Sequence, residues 1–208
     1  MSRTAPSRVS APETSAGPDS AADPAEDSAA EDVALMLRAA ADDLDAFSDL
    51  VRKHERPVMN FFARNGVHTD VEDLAQQTFL KLYRARHGYK PSAKFTTFLY
   101  LIARQVLIDS VRASKRRAGL HERAGKETDP VTEAPAARGE SEDAEQALAC
   151  LSPILRETVV LVVMQGLAYA EAAQVLRVPV GTVKSRVNSA LAQMREELSR
   201  PPGPSTTR

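Results

Sequence analysis

From Val33 onward, apolar residues recur three or four positions apart rather than alternately, which is the spacing of helices that each bury one face. Phe47, Leu50, Val51, His54, Val58, Phe61 and Phe62 fall on one helical stripe, with Asp42, Asp45, Arg52 and Lys53 largely outside it. A histidine on such a stripe reads as a core residue rather than a ligand. Pro57 sits within the stripe and lacks a backbone donor, so a kink or a short break is expected there. Gly66 follows where a left-handed residue would close the helix.

Thr69-Asp70-Val71-Glu72 reads as a capping box, in which a hydroxyl and a carboxylate reciprocally satisfy free amides at a helix start. The helix that it opens carries Val71, Leu74, Ala75, Phe79 and Leu82 on one face and leaves Asp73, Gln76, Gln77, Lys81 and Arg84 off it. Gly88 ends it, and Tyr89 to Lys94 form a loop. The next helix is expected from about Phe95 to about Arg117, with Phe95, Phe98, Leu99, Ile102, Val106 and Leu107 apolar. Arg112, Lys115, Arg116 and Arg117 crowd its end, more cations than the helix dipole calls for, which suits phosphate binding.

After an interruption, periodicity resumes with Ala144, Leu148 and Leu151. Ser152-Pro153 suits a helix start, and the segment through Ile154, Leu155, Val159, Leu161, Val162 and Val163 is nearly apolar all round, hence expected to be buried. Gly166 ends it. Two short helices follow, at about Tyr169 to Leu176 and about Pro179 to Leu198. The expectation is an all-α chain of two small helical domains, 33–118 and 144–199, joined by a flexible linker at 119–143. An acidic N-terminal tail (1–32) and a short C-terminal tail (200–208) should be disordered, because too little apolar surface is available there to offset ordering entropy.

The formal net charge of −1 conceals an alternation. The two periodic blocks are basic and the aperiodic tail and linker are acidic, which suits two nucleic-acid-facing modules on a solvated tether, although a membrane surface would attract the same charge. Cys150 is the single cysteine, so no intramolecular disulfide or zinc-thiolate cluster is available. The longest apolar run, Val159 to Met164, is far short of the ~18 residues of a membrane span, and no secretory signal is evident. A cytoplasmic protein without membrane insertion is expected. No phosphate-binding Gly-rich loop, paired metal-site carboxylates or zinc-ligand spacing is present, so neither a cofactor, a metal nor a catalytic residue is expected.

A short helix, a turn at Arg177-Val178 and a second helix opened by Pro179 have helix-turn-helix spacing, in which the second helix lies in the major groove. Thr182, Lys184, Ser185, Arg186, Asn188 and Ser189 give that helix polar first turns able to meet bases and phosphates. Two readings remain open at this point: a DNA-binding helix-turn-helix, as in a stand-alone transcriptional regulator, and an ordinary three-helix bundle with a basic face.

The string Pro179-Val180-Gly181-Thr182-Val183-Lys184-Ser185-Arg186, preceded by Glu171-Ala172-Ala173-Gln174-Val175-Leu176, resembles region four of extracytoplasmic-function sigma factors of the sigma-70 family. Asp73-Leu74-Ala75-Gln76-Gln77-Thr78-Phe79 resembles the polymerase-binding helix of region two, and Phe95-Thr96-Thr97-Phe98-Leu99-Tyr100 with Asp109 resembles its promoter-melting helix. The resemblance implies a factor that binds core RNA polymerase and promoter DNA and is controlled by an anti-sigma factor. It implies that Asp73, Gln76 and Gln77 meet polymerase while Phe79 anchors their helix. It also implies that the loop from Tyr89 through Lys90 to Lys94, together with Gln105, Arg112, Lys115, Arg116 and Arg117, engages the downstream (−10) element. Thr182, Lys184, Ser185, Asn188 and Ser189 would read the upstream (−35) element, with Arg186 on phosphate. Phe98, Gln105 and Gln77 stand where the family often has Trp, Asn and Glu. Ala168 stands at a common capping Ser or Thr, and Arg177 at a frequent turn Gly.

Overall fold

The apolar spacing resolves into helices throughout: the computed structural model describes residues 24–91, 94–123 and 141–199, and every regular element among them is helical. The first bundle consists of α1 (Pro24–Ala40), α2 (Leu44–Arg64), α3 (Val71–Ala85) and α4 (Phe95–Arg123). The second consists of α5 (Ser141–Ala149), α6 (Pro153–Val159), α7 (Tyr169–Leu176) and α8 (Val180–Leu198). A 3-10 turn at Arg86–Gly88 follows α3, and a π-helical turn at Val160–Met164 continues α6. Residues 1–23, 92–93, 124–140 and 200–208, which include most of the expected tails and linker, lie outside the described residues.

Fully buried Phe61, Phe62, Phe95, Leu50, Leu82 and Leu99 fill the first bundle, and Val159, Val160, Leu161, Val175, Val183 and Val187 fill the second. Each such side chain contributes about 1.5–3 kcal/mol of burial. α4 packs on α7 and α2 on the π-helical turn, so the two cores join into one continuous cluster.

Several local features differ from the sequence reading. α1 begins at Pro24, so part of the stretch expected to be disordered is helical. Met36 and Ala39 dock on the bundle, and Asp32, only 3% exposed, meets Lys53 Nζ at 2.7 Å and His54 Nε2 at 3.0 Å. Those contacts offset the ordering cost that composition alone leaves uncompensated. His54 is buried, as its stripe implied, but with this carboxylate beside it. Burial would raise the Asp32 pKa, yet His54 and Lys53 outweigh it and hold the carboxyl below its usual value.

α2 runs through Pro57 without a break, because Val58, Phe61 and Phe62 immediately beyond it are all fully buried and hold the helix on course. The Thr69 capping box does not form. Asp70 is the N-cap, in a left-handed conformation (φ 61°) that gives no side-chain cap hydrogen bond. The segment after Ser152 is not buried all round: Ile154 and Val163 are 57% and 54% exposed. The π-helical turn shifts the phase of the apolar stripe, turning Val163 outward.

Gly66 closes α2 as expected. At φ 86° it donates to Ala63 O (3.0 Å) while Val67 N–H reaches back to Phe62 O (3.2 Å), a Schellman arrangement. A Cβ at Gly66 would lie 2.9 Å from Arg156 Nη1, the tip of a flexible side chain, so the backbone conformation is what restricts the position.

Candidate nucleic-acid interface

Three surfaces carry the candidate residues. On α3, Leu74, Ala75, Thr78, Phe79 and Leu82 point into the core, so helical geometry sends Asp73, Gln76 and Gln77 outward, where all three are exposed. Phe79 is 6% exposed, in the anchoring position expected of it. Leu80, 49% exposed, completes the same outward face one turn beyond Gln76 and Gln77. Sequence reasoning missed it, although its spacing of seven from Asp73 was available.

On the loop before α4 and on α4 itself the candidate residues divide. Tyr89 corrects an expectation: it is 8% exposed, with its ring centroid 5.4 Å from that of Phe98 and 6.5 Å from that of Phe95. Its ring packs into the edge of the core rather than projecting into solvent. Burial, aided by the Asp32 charge, pushes its phenol pKa up. Lys90 and Lys94 are exposed, while Ser92 and Ala93 of the same loop lie outside the described residues. α4 then buries Phe95, Leu99, Ile102, Ala103 and Val106, which leaves Gln105, Arg112, Lys115, Arg116 and Arg117 on exposed positions.

The helix-turn-helix is built from α7 and α8. Ala172, Ala173, Val175 and Leu176 bury one side of α7, and Val183, Val187 and Ala190, at spacings of four and three, bury one side of α8. Lys184, Ser185, Asn188 and Ser189 therefore face solvent together, with Thr182 and Arg186 half-buried beside them. The turn is made by Arg177 in a left-handed conformation (φ 56°, ψ 48°), where Val178 N–H reaches Ala173 O at 3.1 Å. At the start of α7 the missing Ser or Thr hydroxyl at Ala168 is not replaced, but the Ala168 N–H donates to the Glu171 carboxylate at 2.8 Å.

Between the bundles lies a further set of charges. Lys94 Nζ is 3.2 Å from Glu171 Oε1, and Arg104 Nε is 2.9 Å from Glu157 Oε1. The Tyr100 hydroxyl donates to Gln165 Oε1. Burial raises the Glu157 pKa, opposed by the positive charges of Arg104 and Arg186. Gln105, Asp109 and Arg112 of α4 share a cleft of about 220 Å³ with Val175 of α7 and Arg177 of the turn that follows it. Among the described residues, no group of three or more His, Cys, Asp or Glu is placed to hold a metal, and no helix is long and apolar enough to cross a membrane.

Residues 50–117 match the family model for sigma-70 region 2, and residues 141–194 match that for sigma-70 region 4. The chain is 32% identical over 166 residues to the ECF RNA polymerase sigma factor SigE of Mycolicibacterium smegmatis, covering 74% of this chain and 62% of that protein. It is 33% identical over 162 residues to the RNA polymerase sigma factor CarQ of Myxococcus xanthus, covering 74% of this chain and 90% of that one. Among solved structures it is similar to the sigma factor RpoE of Bartonella quintana, determined in complex with the anti-sigma factor NepR. That match has 26% identity and a TM-score of 0.62, and covers 73% of this chain and 96% of RpoE.

Proposed function

The chain belongs to the sigma-70 family, in the extracytoplasmic-function group of RNA polymerase sigma factors, and from this premise we propose that it binds core RNA polymerase and directs promoter-specific transcription initiation. The observation that carries this reading is the order of the two matched regions, 2 then 4, on two bundles that each expose a polar helix face. Such a factor works by binding rather than by catalysis.

In this reading residues 33–118 act as region 2 and 144–199 as region 4. The α3 face of Asp73, Gln76, Gln77 and Leu80 meets polymerase, with Phe79 fixing the helix from behind. Lys90, Lys94 and Gln105 engage the −10 element, and Arg112, Lys115, Arg116 and Arg117 bind phosphates along it. Thr182, Lys184, Ser185, Asn188 and Ser189 read the −35 element, while Arg186 holds phosphate. Tyr89, packed on Phe98, shapes the −10 loop from below rather than stacking on a base. An anti-sigma factor, as in the similar RpoE complex, is the expected controlling partner. The protein would act in the cytoplasm, where polymerase is.

Transcription from a genomic fragment library by core polymerase, with and without the protein, tests this. Discrete start sites that require the protein are expected. Transcription unchanged by its addition would contradict the reading.

A further inference from the structure

The loop that carries Lys90 and Lys94 hangs between two aromatic stems. Tyr89 precedes it and Phe95, the first residue of α4, follows it; both are buried, with ring centroids 6.5 Å apart. Phe95 rests in turn on His54 of α2, at 5.1 Å between ring centroids. His54 is 7% exposed, and its Nε2 lies 3.0 Å from Oδ2 of Asp32 on α1. The Asp32 charge also acts on the Tyr89 phenol. One buried carboxylate therefore influences both stems, Phe95 through His54 and Tyr89 through space.

The end of α1 and the turn after it grip the approach to the loop as well. Arg86 Nη2 of the 3-10 turn donates to Asp42 Oδ1 at 2.5 Å, and His87 Nδ1 lies 2.9 Å from Ala40 O. Asp32 is fixed from its other side by Lys53 Nζ at 2.7 Å, which also binds Glu31 and the Ser28 carbonyl. Burying ionisable groups costs desolvation that an apolar pair in the same space would avoid. What the charged contact supplies and an apolar one does not is direction, because it orients the His54 ring and hence the surface on which Phe95 rests.

Resting on the sigma-factor reading, we propose that Asp32 and His54 are positioning residues for −10 recognition: acting through Phe95 and Tyr89, they set where the loop stands and so how sharply it tells one base from another. Neither residue lies in the loop, and both are too buried to meet DNA. The cations of the loop attract phosphate over a range of placements, whereas choice between bases needs placement to within about 0.5 Å. Loosening the stems therefore lowers selectivity and leaves promoter and polymerase binding in place.

The test is initiation by the full-length chain with core polymerase on a promoter that it uses, varied through all four bases at each −10 position, with the ratio of best to worst base as the readout. Asp32→Ala should lower that ratio about fivefold, the low end of what one mismatched base pair costs, with polymerase affinity and dependence on the −35 element unchanged. His54→Phe keeps a ring against Phe95 and leaves Asp32 its contact with Lys53, but has no link between the two; it should fold and lower the ratio to the same extent. The double variant should do no worse than either single, because both act along one path. Val58→Ala, a truncation of a fully buried side chain one turn along α2, destabilises the bundle generally and should leave the ratio unchanged. Wild-type ratios in Asp32→Ala and His54→Phe, a double variant that multiplies the two losses, or a loss as large in Val58→Ala would overturn the proposal. Should wild type initiate nowhere, the sigma-factor reading falls instead. Amide hydrogen exchange of segment 86–98 in the free chain then decides the anchoring: faster in Asp32→Ala and His54→Phe than in wild type if the pair holds the loop stems, and unchanged if it does not.

Discussion

At the scale of the residue, the backbone at Arg177 runs against its side chain. A left-handed conformation costs a non-glycine residue roughly 1–2 kcal/mol, and Arg177 bears it at φ 56°. Arg177→Gly is expected to raise stability by about 1 kcal/mol, read as a higher melting temperature; an unchanged or lower one would mean that side-chain contacts at the cleft outweigh the strain. Gly66→Ala should act the other way, because it adds a left-handed penalty. Asp32 gives a pH signature. Its carboxyl titrates below the ordinary 3.8, so the stability that it contributes is present above that value and is lost as pH falls through and below it. Denaturant melts should show wild type more stable than Asp32→Asn at neutral pH, with the gap closing as pH falls below 3.8. A gap independent of pH would remove the ion pair from the account.

At the scale of the element, helices were legible where the 3.6 period was long and one-sided. α2 and α3 lie close to where their stripes of Leu50 and Leu74 placed them, and α8 close to the segment expected from Pro179 to Leu198. What escaped was decided by tertiary contact. The first half of α1 looks like solvated acidic chain until Asp32 finds its partners on the bundle. The Thr69 cap fails because the φ of Asp70 is set by the turn, which the sequence pattern does not encode. Met36→Ala should cost about 2–5 kcal/mol if α1 belongs to the core, whereas a cost within a few tenths would detach it. On α8, Lys184→Ala should weaken −35 binding by about 1–3 kcal/mol in a filter or anisotropy assay while leaving the melting curve unchanged. Equal binding by the variant would remove Lys184 from the reading surface.

At the scale of the whole molecule, the exposure of the candidate residues was legible because polar and basic positions stood out against apolar stripes. Lys184, Ser185, Asn188, Gln105 and Arg112 are exposed as that logic requires. Tyr89 was misread because an aromatic at the edge of a loop gives no sequence sign of whether it faces solvent or Phe98. Arg104 and Glu157 were not legible at all, since each looks like an ordinary charge on its own helix and their meeting depends on how the two bundles pack. In that packing Lys94 and Arg104 of the first bundle are paired with Glu171 and Glu157 of the second. The central claim remains that the α3 face delivers this chain to polymerase, and co-elution with core RNA polymerase on gel filtration tests it most directly. The account predicts a stable complex with wild type that is lost with Asp73→Ala/Gln76→Ala, although the double variant remains folded. No complex with wild type, together with tight binding of duplex DNA by the protein alone, would contradict it.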